Sequence, residues 1–245
     1  YADIRLEAGA YPEAFIEAAA KCVFSCYDVP SMKIDAYDVV VNKPSSAPYR
    51  APASPQVAFA TETVVDEICN IKGYDPIDFR LKNVAEKGTR TALGPKYRTI
   101  GLKECLEAAK DSDHWKSNLD SNPKPGKKRG RGIASGYWFN IGFKSSVNLS
   151  LNPDGKVALI EGSTDIGGSR ASIAMQAAEV LGIPAEDVRP SVVDTDSIGI
   201  TDVTGGSRTT YATGYAAYNA AHKLIEQIIE KSALKWDINK DQIEY

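Results

Sequence analysis

Histidine is scarce in this sequence: His114 and His222 are the only two in 245 residues. Neither lies near a cysteine. The four cysteines, Cys22, Cys26, Cys69 and Cys105, include no CxxC pair. These gaps argue against a zinc or iron–sulfur site built from the chain's own thiolates and imidazoles. Free thiols in a chain of this size, with no disulfide framework, fit a reducing cytoplasm, so a cytoplasmic location is expected. Long apolar runs are missing too. Nothing approaches the roughly 18 to 20 residues that span a bilayer, and the opening residues lack a signal-peptide pattern. Charge is balanced, with 29 basic and 32 acidic residues and a net charge of -3. That balance gives no reason to expect nucleic acid or an anionic membrane surface as partner. The one basic run, Lys124 to Arg131, is broken by Pro125, Gly126 and Gly130 and carries no aromatic residue. It reads as a solvated linker.

What is present is an ordinary globular composition, 43% hydrophobic and 25% charged, long enough for one large domain or two modest ones. Tyr1 to Leu6 already alternates like a strand, and Asp237 to Tyr245 opens another segment, so the sequence reads as an internal piece of a longer chain. A strand is expected over 32–42, followed by a Pro/Ser loop. Ser54 reads as an N-cap with Pro55 at the first helical position. That helix runs to about Ile71 and is stopped by Gly73. Asp75-Pro76 starts a short helix, and 101–110 reads as another. The polar stretch 117–131 is the candidate boundary, separating 1–116 from 132–245. Strands are then expected over 131–139, 144–151 and 156–162, the last two joined by the hairpin signal Asn152-Pro153-Asp154-Gly155. A helix over about 170–181, a strand over 188–193 and a long helix over about 208–235 follow. The last is rich in Ala and Gly, which lets it pack closely on a neighbour. The fold class is α+β, with mixed sheets and packed helices.

The most informative feature is a repeat. Gly167-Gly168-Ser169-Arg170 and Gly205-Gly206-Ser207-Arg208 are the same tetrapeptide, each ahead of a predicted helix. Paired glycines permit a sharp turn and close approach of a ligand. Ser169 and Ser207 read as N-caps, with free N–H groups and the helix dipole beyond them, an arrangement that suits an anion. Two well-formed helix starts with no ligand remain the alternative. Asp194, Asp196 and Asp202 flank the second copy, but their spacing matches no metal loop and reads as turn capping.

These segments together resemble a known family. Asn42-Lys43-Pro44, Ala47-Pro48-Tyr49-Arg50-Ala51-Pro52 and Pro55-Gln56, the run Gly73 to Asn83, Gly162-Ser163-Thr164-Asp165-Ile166-Gly167, and Asp194-Thr195-Asp196 with Gly205 to Thr210 are similar, in order and spacing, to the molybdenum hydroxylases of the xanthine dehydrogenase and aldehyde oxidase type. The resemblance implies a molybdenum-cofactor-binding fold, with 1–116 the C-terminal part of a first molybdopterin-binding domain, 117–131 a linker and 132–245 the N-terminal part of a second. It implies molybdopterin with molybdenum, plain or as the cytosine dinucleotide. Arg50 matches an arginine whose backbone lies beside the metal. Gly205 and Gly206 match the tight loop under it, and Ser207, Arg208 and Thr209 match contacts to pterin or pyrophosphate. Ile166, Gly167 and Gly168 match the other cofactor loop, and Pro52 a substrate-facing position. Gly168 stands where the family usually has Gln, and Ser169 where it has Gly. Ala51 replaces the copper-bridging cysteine of carbon monoxide dehydrogenases. Pro52 replaces the aromatic on which xanthine enzymes stack their substrate. The family's "G-G-G-F-G" loop and its "G-E" segment with the catalytic base have no counterpart, so no catalytic residue is assigned and the chain alone is expected to be inactive. The whole enzyme is expected to oxidise an N-heterocycle or aldehyde with water-derived oxygen. Its partners would be the rest of the molybdenum subunit and iron–sulfur and FAD domains or subunits. A stand-alone phosphate- or nucleotide-binding module is the competing reading.

Overall fold

Ile4, Leu6 and Ala8 alternate with Asp3, Arg5 and Glu7, the period-2 pattern of a strand with one covered face. They form β1 (Ala2–Gly9), which pairs in parallel with β2 (Ile34–Val40), Ala2 opposite Ile34. A parallel pair needs a crossover, and it contains α1 (Ile16–Cys22). The computed structural model describes residues 1–12, 15–119 and 124–245. They fall into two units, Tyr1–Trp138 and Phe139–Tyr245. The expected linker 117–131 lies partly outside the described residues, at 120–123. The described part of the basic run is not wholly solvated. Arg131 donates to the backbone oxygens of Trp115 and Ser117, and its guanidinium lies 5.6 Å from the Trp115 ring centre.

In the first unit, α2 (Ser54–Lys72) buries Val57, Val65 and Cys69 along one stripe and ends at Gly73 in the left-handed conformation, φ 68°. Ser54 does not cap it. The N-cap is Ala53, and the Ser54 hydroxyl donates instead to Tyr137 O at 2.6 Å. The Gly73-to-Asn83 motif is structural. The Asp75 carboxylate caps α3 (Pro76–Asn83) by accepting from the N–H groups of Ile77 and Asp78, both at 2.9 Å. Arg80, fully buried, donates to Glu62 and Asp66, both at 2.8 Å, and to Pro76 O. Glu62 is buried as well and also accepts from the Tyr27 hydroxyl and the Ser135 N–H. An ion pair this deep is costly unless further hydrogen bonds compensate it, and the Glu62 carboxylate accepts three, from Arg80, Tyr27 and Ser135. Two further helices, α4 (Leu102–Asp111) and α5 (Asp113–Lys116), follow.

The strand expected over 131–139 does not form, and 127–146 has no regular secondary structure. Its backbone groups bond instead to side chains, Ser135 N–H to Glu62 and Tyr137 O to Ser54, so no strand partner is required.

The second unit holds a three-stranded sheet. β3 (Val147–Leu151) and β4 (Val157–Glu161) form the antiparallel hairpin, turned at Gly155, and β5 (Val188–Val192) adds to β4 in parallel. α6 (Ser169–Leu181) and α7 (Gly214–Trp236) pack on it. The core comprises Val157, Leu159, Ile173, Ala177, Leu181, Val188, Ala217 and Ala221. Ala217 and Ala221 are fully buried. A Cβ at Gly214 would lie 1.9 Å from Gln176 Oε1, so the small residues of α7 permit its close approach to α6. One parallel pair and one mixed sheet, each with helices, make this an α+β fold. Among the described residues no helix is long and apolar enough to cross a membrane.

Candidate functional site

Three loops carry the predicted site residues. The first follows β2. Its entry is seated on Gly9 (φ 80°), where a Cβ would lie 2.1 Å from Pro44 O. Val41 N–H donates to Gly9 O and Ser46 N–H to Ala8 O. The loop then enters α2 through three non-glycine residues at positive φ, Arg50 (29°), Ala51 (55°) and Ala53 (64°). Such conformations persist only where the surroundings enforce them, and they cluster at ligand sites. Here Ser54 N–H donates to Ala51 O and the Ser54 hydroxyl to Tyr137 O. Arg50 is exposed, and Pro52 is partly covered.

The second loop joins β4 to α6. Gly167 (φ 89°) and Gly168 (φ 96°) both take conformations that favour glycine, and a Cβ on either would meet nothing. Gly168, not Ser169, is the N-cap. The anion site expected here is filled from within. Asp165 Oδ1 accepts from the N–H groups of Gly167, Gly168 and Ser169 at 3.1, 3.0 and 3.1 Å and from the Ser169 hydroxyl at 3.1 Å. Its Oδ2 takes Arg170 Nε at 2.7 Å. Arg170, followed by these hydroxyl and amide donors, holds the Asp165 carboxyl down to about 2. Asp165 was not singled out in the sequence. The readable signal was an Asp two residues ahead of Gly-Gly-Ser at a helix start, where its side chain can reach the following amides. Ile166 is exposed.

The third loop precedes α7. Gly206 (φ 62°) and Ser207 (φ 58°) are left-handed, while Gly205 is not. The expected helix start at Arg208 is a π-helical turn, Thr209–Thr213, before α7 proper. Although its tetrapeptide is the same, Arg208 does the opposite of Arg170. It is fully buried. It donates from Nε to Gly142 O at 2.8 Å, from Nη1 to Asp202 O at 2.8 Å, and from Nη2 to Lys144 O and Ser145 Oγ, both at 2.5 Å. Asn140 Nδ2 donates to Ser207 O and Ile141 N–H to Gly206 O. The segment 140–145 is thereby fastened to the loop. The Arg208 side chain is committed inside the fold, so any ligand contact from this residue falls to its backbone. Thr209 Oγ1 is buried and has no hydrogen-bond partner. Asp194 caps its turn by accepting from Asp196 N–H and the Ser197 hydroxyl, whereas Asp202 Oδ2 accepts from Lys144 N–H, a tie between distant segments rather than a turn cap.

Behind the second and third loops lies a buried polar chain that the sequence did not reveal. From Arg208 it runs through Ser145 Oγ to Thr213 Oγ1 (2.8 Å) and on to Ser163 Oγ (2.6 Å). Ser163 N–H donates to Glu161 Oε2 at 2.5 Å. Glu161 is fully buried, and its Oε1 has no partner. Burial pushes its carboxyl above the usual range, against the pull of the Ser163 hydrogen bonds.

Each α+β unit carries strained or glycine-rich loops at a strand-to-helix junction, and in the second unit one such turn holds an orphaned buried hydroxyl. The chain matches the molybdopterin cofactor-binding domain over residues 1–84 and, in a second model of that description, over 105–245. It belongs to that family. It is 32% identical to the putative xanthine dehydrogenase molybdenum-binding subunit XdhA of Escherichia coli, over 79% of this chain and 27% of that protein. The aldehyde oxidoreductase molybdenum-binding subunit PaoC of E. coli O157:H7 is 32% identical over 81% of this chain and 27% of its own length. The aldehyde oxidoreductase from Desulfovibrio desulfuricans superposes with a TM-score of 0.77 at 26% identity, covering 91% of this chain and 26% of that one. The chain thus spans about a quarter of the length of these relatives.

Proposed function

We propose that this chain supplies cofactor-holding loops to a molybdenum-dependent hydroxylase that oxidises an aldehyde or N-heterocycle with water-derived oxygen. The observation that carries the reading is Thr209 Oγ1. A buried hydroxyl without a partner costs about 1–3 kcal/mol, and this one belongs to the Ser207–Thr209 segment for which the resemblance implies pterin or pyrophosphate contacts. A pterin or phosphate acceptor would fill that vacant bond. Gly205, Gly167 and Gly168 fit the same group, because a side chain at each would project into open space that a ligand can use. When bound, the cofactor supplies two-electron redox chemistry. The chain's own part is to bind and orient it. Thr209 would donate its hydroxyl, and Gly205, Gly206 and Ser207 would present backbone. Ile166 with the bare faces of Gly167 and Gly168 would form the second wall. Arg50 would hold the strained backbone of the first loop, and Pro52 would face substrate. Arg208 holds its loop from behind.

The units Tyr1–Trp138 and Phe139–Tyr245 would be parts of the first and second molybdopterin-binding domains. Iron–sulfur and FAD partners, a cytosine dinucleotide form of the cofactor and a cytoplasmic location belong to the same proposal. The stand-alone phosphate module finds no support, since the amides of the first Gly-Gly-Ser turn already serve Asp165. The test is the complete protein, purified and assayed for molybdenum and for oxidation of aldehydes, quinoline-type heterocycles, xanthine and carbon monoxide. Molybdenum with turnover of an aldehyde or heterocycle is expected, since Ala51 and Pro52 disfavour the last two. A metal-free protein that oxidises none of them would overturn the reading.

A further inference from the structure

The two glycine loops of the second unit are far apart in sequence, yet one hydrogen-bonded chain joins them. At one end Arg208 anchors the Gly205–Ser207 turn. At the other, Glu161 and Ser163 begin the loop that carries Gly167 and Gly168. Between them stand only the Ser145, Thr213 and Ser163 hydroxyls, at 2.8 and 2.6 Å from one to the next. Thr213, the middle member, is fully buried, as are Arg208 and Glu161. We propose that Thr213 and Glu161 are positioning residues: the chain Arg208–Ser145–Thr213–Ser163–Glu161 sets the place of one cofactor loop relative to the other. This rests on the functional reading only in calling the loops cofactor loops; the mechanical link is independent of any ligand.

Proton counting gives the chain a direction. A guanidinium can only donate, so Ser145 Oγ must accept from Arg208, which leaves the Ser145 proton for Thr213. Each hydroxyl has a single proton. If Thr213 accepts from Ser145, its own proton goes to Ser163, and Ser163 reaches Glu161 Oε2 through its backbone N–H. The donors then all point from the buried cation toward the buried acid, and chains aligned in this way reinforce one another. Breaking any member turns the rest loose or leaves unpaired groups in a chain whose Arg208, Thr213, Ser163 and Glu161 are buried. A displacement of the Gly205–Ser207 turn is therefore passed to the turn at Gly167–Gly168. The pair of loops behaves as one jaw rather than two.

The test is amide hydrogen exchange on the complete protein without cofactor, comparing Thr213→Val, which keeps shape and loses the hydroxyl, with Thr213→Ser, which keeps the hydroxyl. Exchange is read at 163–168, at 205–208 and, as reference, at Ala177 and Ala178 in the core of α6. With Thr213→Val, both loops are expected to exchange roughly 2- to 12-fold faster relative to the reference, the factor for losing about one hydrogen bond. Thr213→Ser should restore them. Ser163→Ala serves as a second variant in case Thr213→Val fails to fold, and it should loosen 205–208 although it lies on the other loop. Loosening confined to the substituted loop, or equal exchange in the Val and Ser variants, overturns the proposal. Because the measurement needs no metal, it can fail while the functional reading stands, and the reverse.

Discussion

Replacing Arg208 by Lys separates two roles that the sequence alone could not tell apart. If its guanidinium reached outward to a pyrophosphate, the cofactor-free chain would hardly notice Lys. The structure gives it four bonds of 2.5 to 2.8 Å to Gly142 O, Asp202 O, Lys144 O and Ser145 Oγ in a fully buried site. An ammonium is a point donor and cannot span a planar fork with Nε, Nη1 and Nη2 facing different acceptors. At least two of the four acceptors should then lose their partner. At about 1–3 kcal/mol for each unsatisfied buried group, the expected cost is about 2–6 kcal/mol. Native-state hydrogen exchange on the cofactor-free chain, read at the core amides of Ala177, Ala178 and Ala217, would report this as a lower opening free energy. A change below about 1 kcal/mol would refute the assignment of Arg208 as an internal clamp.

Three further outcomes are expected. The Asp165 carboxyl should titrate near pH 2 in an NMR pH series. Its depressed value adds stability above the ordinary 3.8, lost as pH falls through about 2; a midpoint near 3.8 would mean that its cap over Gly167–Ser169 is absent in solution. Glu161 runs the other way. Its raised value gives a contribution fully present below 4.5 and lost as pH rises through the folded value, so Glu161→Gln should flatten the stability profile above pH 4.5, and an unchanged profile would contradict this. Gly206→Ala should destabilise the second unit by about 1 kcal/mol or more, from φ 62° and a Cβ 2.5 Å from the Ile141 side chain, whereas Gly205→Ala should be tolerated; equal denaturation midpoints for the two variants would sink that distinction.

Local chemistry was legible in the sequence where one residue decides the structure. Gly73 ends α2, Asp75-Pro76 opens α3, and Asn152 to Gly155 turns the hairpin, each by a rule acting over a few residues. The alanines of α7 announced a close helix contact, and Ala217 and Ala221 make it. The segment 131–139 misled because its alternation is served by side chains of α2 rather than by a neighbouring strand, and nothing local encodes that. The twin tetrapeptides misled for a related reason. Asp165 lies five residues before Arg170 and takes both the arginine and the helix amides. Asp202 lies six before Arg208, gives it only a carbonyl and spends its carboxylate on Lys144. Identical motifs thus became a surface cap and a buried clamp. The hydroxyl chain from Arg208 to Glu161 joins residues up to 68 positions apart and left no trace in spacing.

Thr209, with its unpartnered buried hydroxyl, is the residue at which cofactor binding is tested most directly. In the complete protein, molybdenum and pterin content should be measured for the parent, Thr209→Ser and Thr209→Val. Losing a hydrogen bond to a bound cofactor should lower its retention by roughly tenfold in the Val variant, with the Ser variant close to the parent. Full molybdenum and pterin loading of Thr209→Val would contradict the claim that this turn holds the cofactor.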